Sequence, residues 1–230
     1  MAVIYDNSGN VRTASSVTTL SIADFVVANQ QNRVLLVFVS TSSAHDADDT
    51  PAMGITYDDV LMTLLDYNNT VAGYASLFGL VAPSVGTADI VATWETSAVC
   101  SLVALSAYGA KQTDQFGTIQ KNTGGLDTNS CGVTIASASD DLTVSFAASG
   151  LNNAELVTTQ TRRSYTTGVI RAHVDTGTGA SGNITHTWSH AEGYEATNSR
   201  KTVIGVNIVQ ASTASALPKI FNNYFRRRSL

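Results

Sequence analysis

Short apolar runs separated by polar turns recur along the chain. The densest group comprises Leu77–Ala82, Ala88–Trp94 and Val99–Tyr108, with turns at 83–86 and 95–97 between them. Runs of this length that are rich in β-branched and aromatic residues and bounded by Pro, Gly and Ser are typical of β-strands. The two reversals predict that these three strands form an antiparallel meander.

The positions of apolar residues within a run indicate which faces are buried. In Ala88–Trp94 the side chains of Ile90, Ala92 and Trp94 share one face, because side chains alternate across a strand. We take this face as core. Val34–Ser40 is apolar on both faces, which predicts a central strand covered on both sides.

The pattern divides the chain into three parts. Residues 1–31 form an N-terminal arm or edge strands, 32–211 form a β-sandwich domain, and 212–230 form a basic, apolar C-terminal tail. Met1–Val11 is either an edge strand or an arm that pairs with a neighbouring subunit. The predicted fold class is all-β, a two-sheet antiparallel β-sandwich that is jelly-roll-like, with a short helical or extended tail.

The second half of the chain resembles the first. Ile184–Trp188 repeats the Ile-x-x-Thr-Trp spacing of Ile90–Trp94, and Leu142–Ala147 corresponds to Val34–Val39. This weak repeat predicts two similar sheets that face each other, each with a Trp directed into the space between them.

Composition and charge narrow the classes of partner. Of 230 residues, 43% are hydrophobic and 13% are charged, the latter about half the usual share. The formal net charge is −5, and the tail contributes cations but no acids, so the rest of the chain is more acidic still. An acidic body binds nucleic acid poorly, and no apolar run is long enough to span a bilayer. The first residues lack the pattern of a secretory signal, so we expect a protein made in a cytoplasm.

Candidate catalytic and metal-binding residues are few. His186 and His190 lie on a predicted strand, where four residues span about 13 Å, so they cannot ligate one metal ion. We expect His186 to be hydrogen-bonded. The sequence contains no nucleophile elbow and no phosphate-binding loop. We therefore expect no enzymatic activity, no cofactor and no metal.

One acidic loop, Thr41–Ala52, leaves two interpretations open. It is either a solvated loop or a site for a hard cation, although it lacks the glycine and the distal glutamate of an EF-hand loop. The side chains concerned are His45, Asp46, Asp48 and Asp49.

The chain has two cysteines, Cys100 and Cys131, both on predicted strands. They permit one disulfide, but a reducing compartment favours two buried thiols, which is what we expect.

The tail has a pattern of its own. Pro218 opens a predicted helix in which apolar side chains form one stripe, followed by cations at its C-terminal end. Such a stripe either folds back on its own domain or docks on another protein, and we favour docking on an acidic protein surface. The predicted docking residues are Lys219, Ile220, Phe221, Tyr224, Phe225, Arg226, Arg227 and Arg228.

Tyrosines are the remaining candidates for binding. Exposed tyrosines on a sandwich face stack on sugars, whereas core packing is the alternative for most of them. The six that lie in strands or at loop edges are Tyr57, Tyr67, Tyr74, Tyr108, Tyr165 and Tyr194.

Four segments match the strand and turn motifs of a known family. The chain resembles the β-sandwich modules common in phage and environmental bacterial proteins, over about 32–211, and departs from them at 58–59, where the modules have Gly-Gly. It is also similar to virion structural proteins of tailed phages, particularly those that decorate a capsid. The matching segments are Asn32–Ser40, Ile55–Leu61, Leu77–Trp94 and Ser106–Gly109.

The resemblance implies a structural protein of the virion, made in the host cytoplasm, that decorates or cements a phage capsid. It implies contacts with the major capsid protein or another virion protein, and it supplies no active-site residues. We expect a homo-oligomer, taken as a trimer. Two alternatives stay open: a glycan-binding adhesin or receptor-binding module that uses Thr41–Ala52 and the tyrosines, and a filament subunit that assembles by donor-strand exchange.

Overall fold

The computed structural model describes residues 1–13, 16–41, 53–70, 73–124, 130–150, 156–166, 170–190 and 200–212, and the regular elements in them are all β-strands. The strands of the first half are β1 (Ile4–Arg12), β2 (Val17–Val27), β3 (Val34–Thr41), β4 (Met53–Tyr57), β5 (Val60–Leu61), β6 (Thr63–Thr70), β7 (Gly73–Val81), β8 (Gly86–Ala98) and β9 (Cys100–Tyr108). Those of the second half are β10 (Gln120–Gly124), β11 (Ser130–Ser137), β12 (Leu142–Gly150), β13 (Leu156–Thr158), β14 (Thr161–Tyr165), β15 (Ile170–Thr178), β16 (Gly182–His190) and β17 (Arg200–Ile208).

The first half folds into two facing antiparallel sheets. Inner sheet I has the order β1-β9-β3-β7-β6, and outer sheet I has the order β2-β8-β4-β5. The chain passes back and forth between these sheets, and with β6 as an added edge strand the order is that of a jelly roll. The predicted all-β, antiparallel, jelly-roll-like sandwich is confirmed.

The second half repeats this order strand for strand. Inner sheet II runs β10-β17-β12-β15-β14 and outer sheet II runs β11-β16-β13, so that only β5 lacks a counterpart among the described residues. The predicted internal repeat is therefore confirmed. The prediction that each half forms one sheet, with both Trp side chains between the two sheets, was wrong. Each repeat is a complete two-sheet sandwich, and each Trp lies inside its own sandwich.

The two sandwiches stack through their inner sheets and give four layers. A continuous apolar cluster fills the space between inner sheets I and II. Phe38 of β3 and its counterpart Phe146 of β12 stack near its middle, with ring centroids 5.5 Å apart and planes 14° apart. Burial of apolar surface is the main favourable term in folding, so the inner sheets hold the two repeats together as one body.

The predicted meander of β7, β8 and β9 was wrong. Both β7 and β9 pair with β3 in inner sheet I, whereas β8 pairs with β2 and β4 in outer sheet I. The physical reason lies in their burial: β9 and β3 are buried on both faces, as an inner layer requires, while β8 is buried on alternate residues only. The predictions for β3 as a covered central strand and for the Trp94 face as core are confirmed.

The edges of the two inner sheets are joined by polar side chains. On one edge Asn10 Nδ2 of β1 donates to Ser164 Oγ of β14 at 2.6 Å. On the other, Asn68 Nδ2 of β6 donates to Thr202 Oγ1 at 2.8 Å, and Lys121 Nζ lies 2.8 Å from Asp66 Oδ1. The strand β1, which includes most of the segment considered as an exchangeable arm, pairs with β9 of its own chain.

The turn at 58–59 joins β4 to β5. Asp58 and Asp59 both have positive φ angles, 50° and 59°. Two successive positive φ values define the two-residue hairpin turn that Gly and Asn favour. The predicted tight turn is confirmed, and the two Asp residues adopt the backbone that Gly-Gly would adopt there.

Candidate functional site

The residues predicted to dock on a partner lie outside the described residues. This holds for the whole set, Lys219, Ile220, Phe221, Tyr224, Phe225, Arg226, Arg227 and Arg228. The acidic loop with His45, Asp46, Asp48 and Asp49 also lies outside them. Across the described ranges, no group of three or more His, Cys, Asp or Glu side chains is placed to hold a metal ion.

The N-terminal residues and the last described residues meet at one end of the stack, which we call the terminal pole (residues 1–3, 109 and 211–212). Ala211 N donates to Gly109 O at 2.8 Å. A Cβ on Gly109, whose φ is +81°, would lie 2.5 Å from Ala2 O, so the backbone of Ala2 packs directly against this glycine. The last described residues therefore lie at the pole at which Met1 and Ala2 lie.

A buried hydrogen-bond network fills the middle of the second sandwich. His186 of β16 lies with Nδ1 2.7 Å from Asp175 Oδ1 and Nε2 2.9 Å from Thr143 Oγ1. Ser145 Oγ donates to the same Asp175 oxygen at 2.6 Å and accepts from Trp188 Nε1 at 2.8 Å. The second Asp175 oxygen accepts from Thr158 Oγ1. The expectation of a hydrogen-bonded His186 is confirmed.

His186 joins the two sheets of the second sandwich. Its Nδ1 is hydrogen-bonded to Asp175 and its Nε2 to Thr143, whose hydroxyl also lies 3.0 Å from Gly177 O. His186 lies on β16 of outer sheet II, whereas Asp175 and Thr143 lie on β15 and β12 of inner sheet II. Both ring nitrogens are therefore satisfied by hydrogen bonds across the space between outer and inner sheet II.

The corresponding positions of the first sandwich are apolar. By strand register, Thr143 and Ser145 correspond to Leu35 and Val37, and Asp175 corresponds to Phe78. His186 corresponds to Ala92 in the shared Ile-x-x-Thr-Trp segment. Among the described residues, the buried apolar cluster of the first sandwich has 16 members and that of the second has seven. One repeat is therefore held by an apolar core and the other largely by polar contacts.

The order Thr143, His186, Asp175 is that of a nucleophile, a base and an orienting acid. All three side chains are fully buried, so no solute reaches the Thr143 hydroxyl in this structure. The base also lies on the outer sheet, whereas the other two lie on the inner sheet. The arrangement therefore links the outer and inner sheets by buried hydrogen bonds.

Sequence reasoning found His186 but missed Asp175, Thr143 and Ser145. A signal was present, because Arg171, His173 and Asp175 alternate along β15 and therefore share one face. All three are buried. Three polar residues at alternate positions of an inner strand indicate a polar interior.

His173 is a second unusual group beside the network. It is fully buried, and neither Nδ1 nor Nε2 has a hydrogen-bond partner. Its ring stacks on Tyr165 at 5.8 Å and lies 5.5 Å from Trp188. Burial, with smaller contributions from the charges of Arg162 and Arg171, lowers the pKa of His173 from 6.5 to about 3.

Both cysteines are buried and reduced, as expected. Cys100 lies in the first sandwich and Cys131 in the second. Burial raises the pKa of the Cys100 thiol to about 12, so it is inert at neutral pH.

The tyrosines are distributed between core and surface. Tyr57 is fully buried and packs edge-on against Phe25 at 6.3 Å. Tyr165 is the most exposed of the six among those whose side chains the structure describes, and it lies under Arg162 with the guanidinium 4.3 Å from the ring centre. Tyr194 lies outside the described residues. Tyr57 is therefore a core residue, whereas Tyr165 is available at the surface.

An open cleft lies at one end of outer sheet I. It has a volume of about 340 Å³ and is lined by Met53, Gly54, Thr93, Trp94 and Glu95. The side chain of Trp94 is 5% exposed, and its Nε1 has no hydrogen-bond partner, unlike that of Trp188. The cleft adjoins the loop 42–52 in the sequence.

No family model matches the chain, and no curated protein matches it. In the portion that the structure describes, no helix has the length and hydropathy needed to cross a bilayer.

Proposed function

We propose that this chain is a non-enzymatic structural protein of a virion, which decorates a tailed-phage capsid through protein contacts made from its terminal pole. Its partner is the major capsid protein or another virion protein. The docking residues are those of the tail, 219–228, aided by the first residues of the chain. The stacked jelly rolls form the body that projects from the shell.

The observation that carries the proposal is the meeting of two segments at the terminal pole. The sequence assigns partner contacts to the N-terminal residues and to the basic, apolar tail. Ala2 and Ala211 both pack on Gly109, so the first residues of the chain and the last described residues lie at one place on the body. Two adjacent segments offer one continuous contact with a shell and leave the rest of the body free.

The outer face of outer sheet II is consistent with close packing in an assembly. Its outward residues on β11 are Ser130, Gly132, Thr134 and Ala136, and those on β16 are Asn183, Thr185, Thr187 and Ser189. These described residues carry no charge. A neutral face of small side chains lets identical bodies lie side by side without the repulsion that like charges produce.

Deletion of 213–230 tests the proposal. Purified capsids that lack the protein are incubated with the full chain, with the deletion variant, and with a variant in which Arg226, Arg227 and Arg228 are replaced by Gln. The full chain is expected to co-sediment with the capsids. The triple substitution is expected to lower the affinity at least tenfold, and the deletion variant is expected not to co-sediment. Circular dichroism controls for an intact body. Equal binding by the deletion variant would contradict the docking role of the tail.

The cleft favours glycan binding as a second candidate. Its lining combines an exposed carboxylate, Glu95, an exposed hydroxyl, Thr93, and the backbone of Gly54, which has no side chain. Its volume is near the lower end of the range of about 300–1,000 Å³ for small-molecule sites, which suits a mono- or disaccharide. A glycan array with the full chain and with Glu95→Gln tests this. Specific signals that the substitution removes are the expected result, and an array without signal contradicts it.

A further inference from the structure

Outer sheet II is the layer of the stack that rests on the weakest apolar contact. Among the described residues, the buried apolar cluster between outer and inner sheet II has seven members, whereas that between outer and inner sheet I has 16. Local opening occurs where few buried apolar contacts hold an element. Outer sheet II also has three strands where outer sheet I has four.

Polar groups take the place of the missing apolar contact. The side-chain hydrogen bonds described between the buried faces of the two sheets near their centre include those of Thr158, His186 and Trp188, made to Thr143, Ser145 and Asp175. Next to them lies His173 of inner sheet II, an imidazole covered by Trp188 and without any hydrogen bond. Separation of the sheets would expose both ring nitrogens of His173 to water, which can hydrogen-bond to them.

We propose that outer sheet II is an acid-released cover, which opens from inner sheet II as one unit when the pH falls and His173 takes up a proton. The sheet comprises β11, β13 and β16. Opening also separates His186 from Asp175 and Thr143, so the change involves the whole sheet and not only His173.

The sign of the effect follows from linkage. In the closed form the pKa of His173 is about 3, against 6.5 for an imidazole in water. Between these pH values the open form binds more protons, so closure is fully stable above about pH 6.5 and is weakened as the pH falls. The opening constant rises about tenfold per pH unit there, which amounts to about 30-fold between pH 7.5 and 5.0.

Other charged groups surround His173 and their positions have to be considered. The charges of Arg162 and Arg171 oppose its protonation in the closed form; both lie on the same inner sheet as His173, and water that enters on opening weakens their effect. On β12 and β13 the side chains that face it carry no titratable group. The titratable and charged groups on this side of the other elements are Cys131 on β11, Arg162 and Tyr165 on β14, Arg171 and Asp175 on β15, His186 and His190 on β16, and Lys201 on β17.

Native-state hydrogen exchange of the full chain tests the proposal. Protection factors, corrected for intrinsic exchange, are measured at pH 7.5 and 5.0. The amides of β11 and β16 are expected to lose protection together, by about 30-fold, while those of their counterparts β2 and β8 keep theirs. Equal changes in the two outer sheets, or opening of β11 and β16 only with global unfolding, would overturn the proposal.

A substitution taken from the first repeat provides the matched control. Ser76 occupies the position of His173 by register. His173→Ser is expected to leave β11 and β16 able to open but to abolish the 30-fold dependence on pH. Should that variant be too unstable to purify, His173→Gln makes the same test with a larger neutral side chain. Retention of the full pH dependence in either variant overturns the role of His173.

Discussion

Replacement of Asp175 by Ala removes the acceptor at the centre of the second sandwich. The carboxylate accepts from His186 Nδ1, Ser145 Oγ and Thr158 Oγ1, and all of it is buried. A buried polar group that is left without its hydrogen-bond partner costs about 1–3 kcal/mol, and three groups lose theirs here, so the total cost is about 3 kcal/mol or more. We expect Asp175→Ala to lower the free energy of unfolding by that amount.

Replacing the whole network is expected to cost far less. A variant that carries the first repeat's residues, Thr143→Leu, Ser145→Val, Asp175→Phe and His186→Ala, removes most donors and acceptors together. Among the remaining side chains, only Trp188 Nε1 and Thr158 Oγ1 lose the partners described for them, and Trp94 Nε1 of the first repeat likewise has no partner. Replacing both partners of a buried hydrogen bond by apolar groups of similar shape can be nearly neutral or stabilising. Imperfect repacking of new side chains costs about 1–3 kcal/mol, so we expect a smaller loss than for Asp175→Ala alone.

Urea unfolding followed by tryptophan fluorescence measures both variants. The chain has two Trp residues, so a Trp94→Phe background makes Trp188 the single reporter of the second sandwich. With a slope of about 1–3 kcal/mol per M urea, the loss expected for Asp175→Ala shifts the midpoint by at least about 1 M. A loss below about 1 kcal/mol, or a transplanted network less stable than the single substitution, would refute the reasoning.

Three further predictions concern the rest of the body. Phe38→Ala opens a cavity beside Phe146 between the inner sheets and is expected to cost about 3–5 kcal/mol in chemical denaturation, whereas a cost below about 1 kcal/mol would show that the rings do not share one core. Cys100 is expected to react with a thiol reagent only after unfolding, and fast reaction of the native protein would contradict its burial. Gly79→Ala places a Cβ 2.7 Å from Phe116 Cε2, so we expect a loss of about 1–3 kcal/mol by thermal unfolding, and an unchanged melting temperature would contradict this contact.

The local pattern of the sequence predicts the strands well, because side chains alternate across a strand. An alternating apolar pattern therefore indicates one buried face, and a continuous apolar run indicates two. Val34–Ser40 is apolar at every position but its last, and β3 is buried throughout. The same distinction separates β9 from the alternating β8 and contradicts a meander of neighbours. Pairing between distant segments has no such local signal, and for this reason β8 was assigned to the wrong neighbours.

The interior of the second sandwich was harder to predict. A His on the Trp face was visible in the sequence, but its acceptor, Asp175, lies on another strand and in the facing sheet. Only a correct alignment of the two repeats places Asp175 opposite it. The docking residues 219–228 rest on helical periodicity and on the basic residues of the tail, and they stay a prediction.

Electron cryo-microscopy of tailed-phage particles that carry this gene tests the attachment of the body by its terminal pole. The expected reconstruction shows the four-layered body outside the shell, with residues 1–3, 109 and 211–212 nearest the capsid surface. Density attached instead through outer sheet II or the cleft at Glu95, or particles that lack the protein altogether, would contradict the proposal.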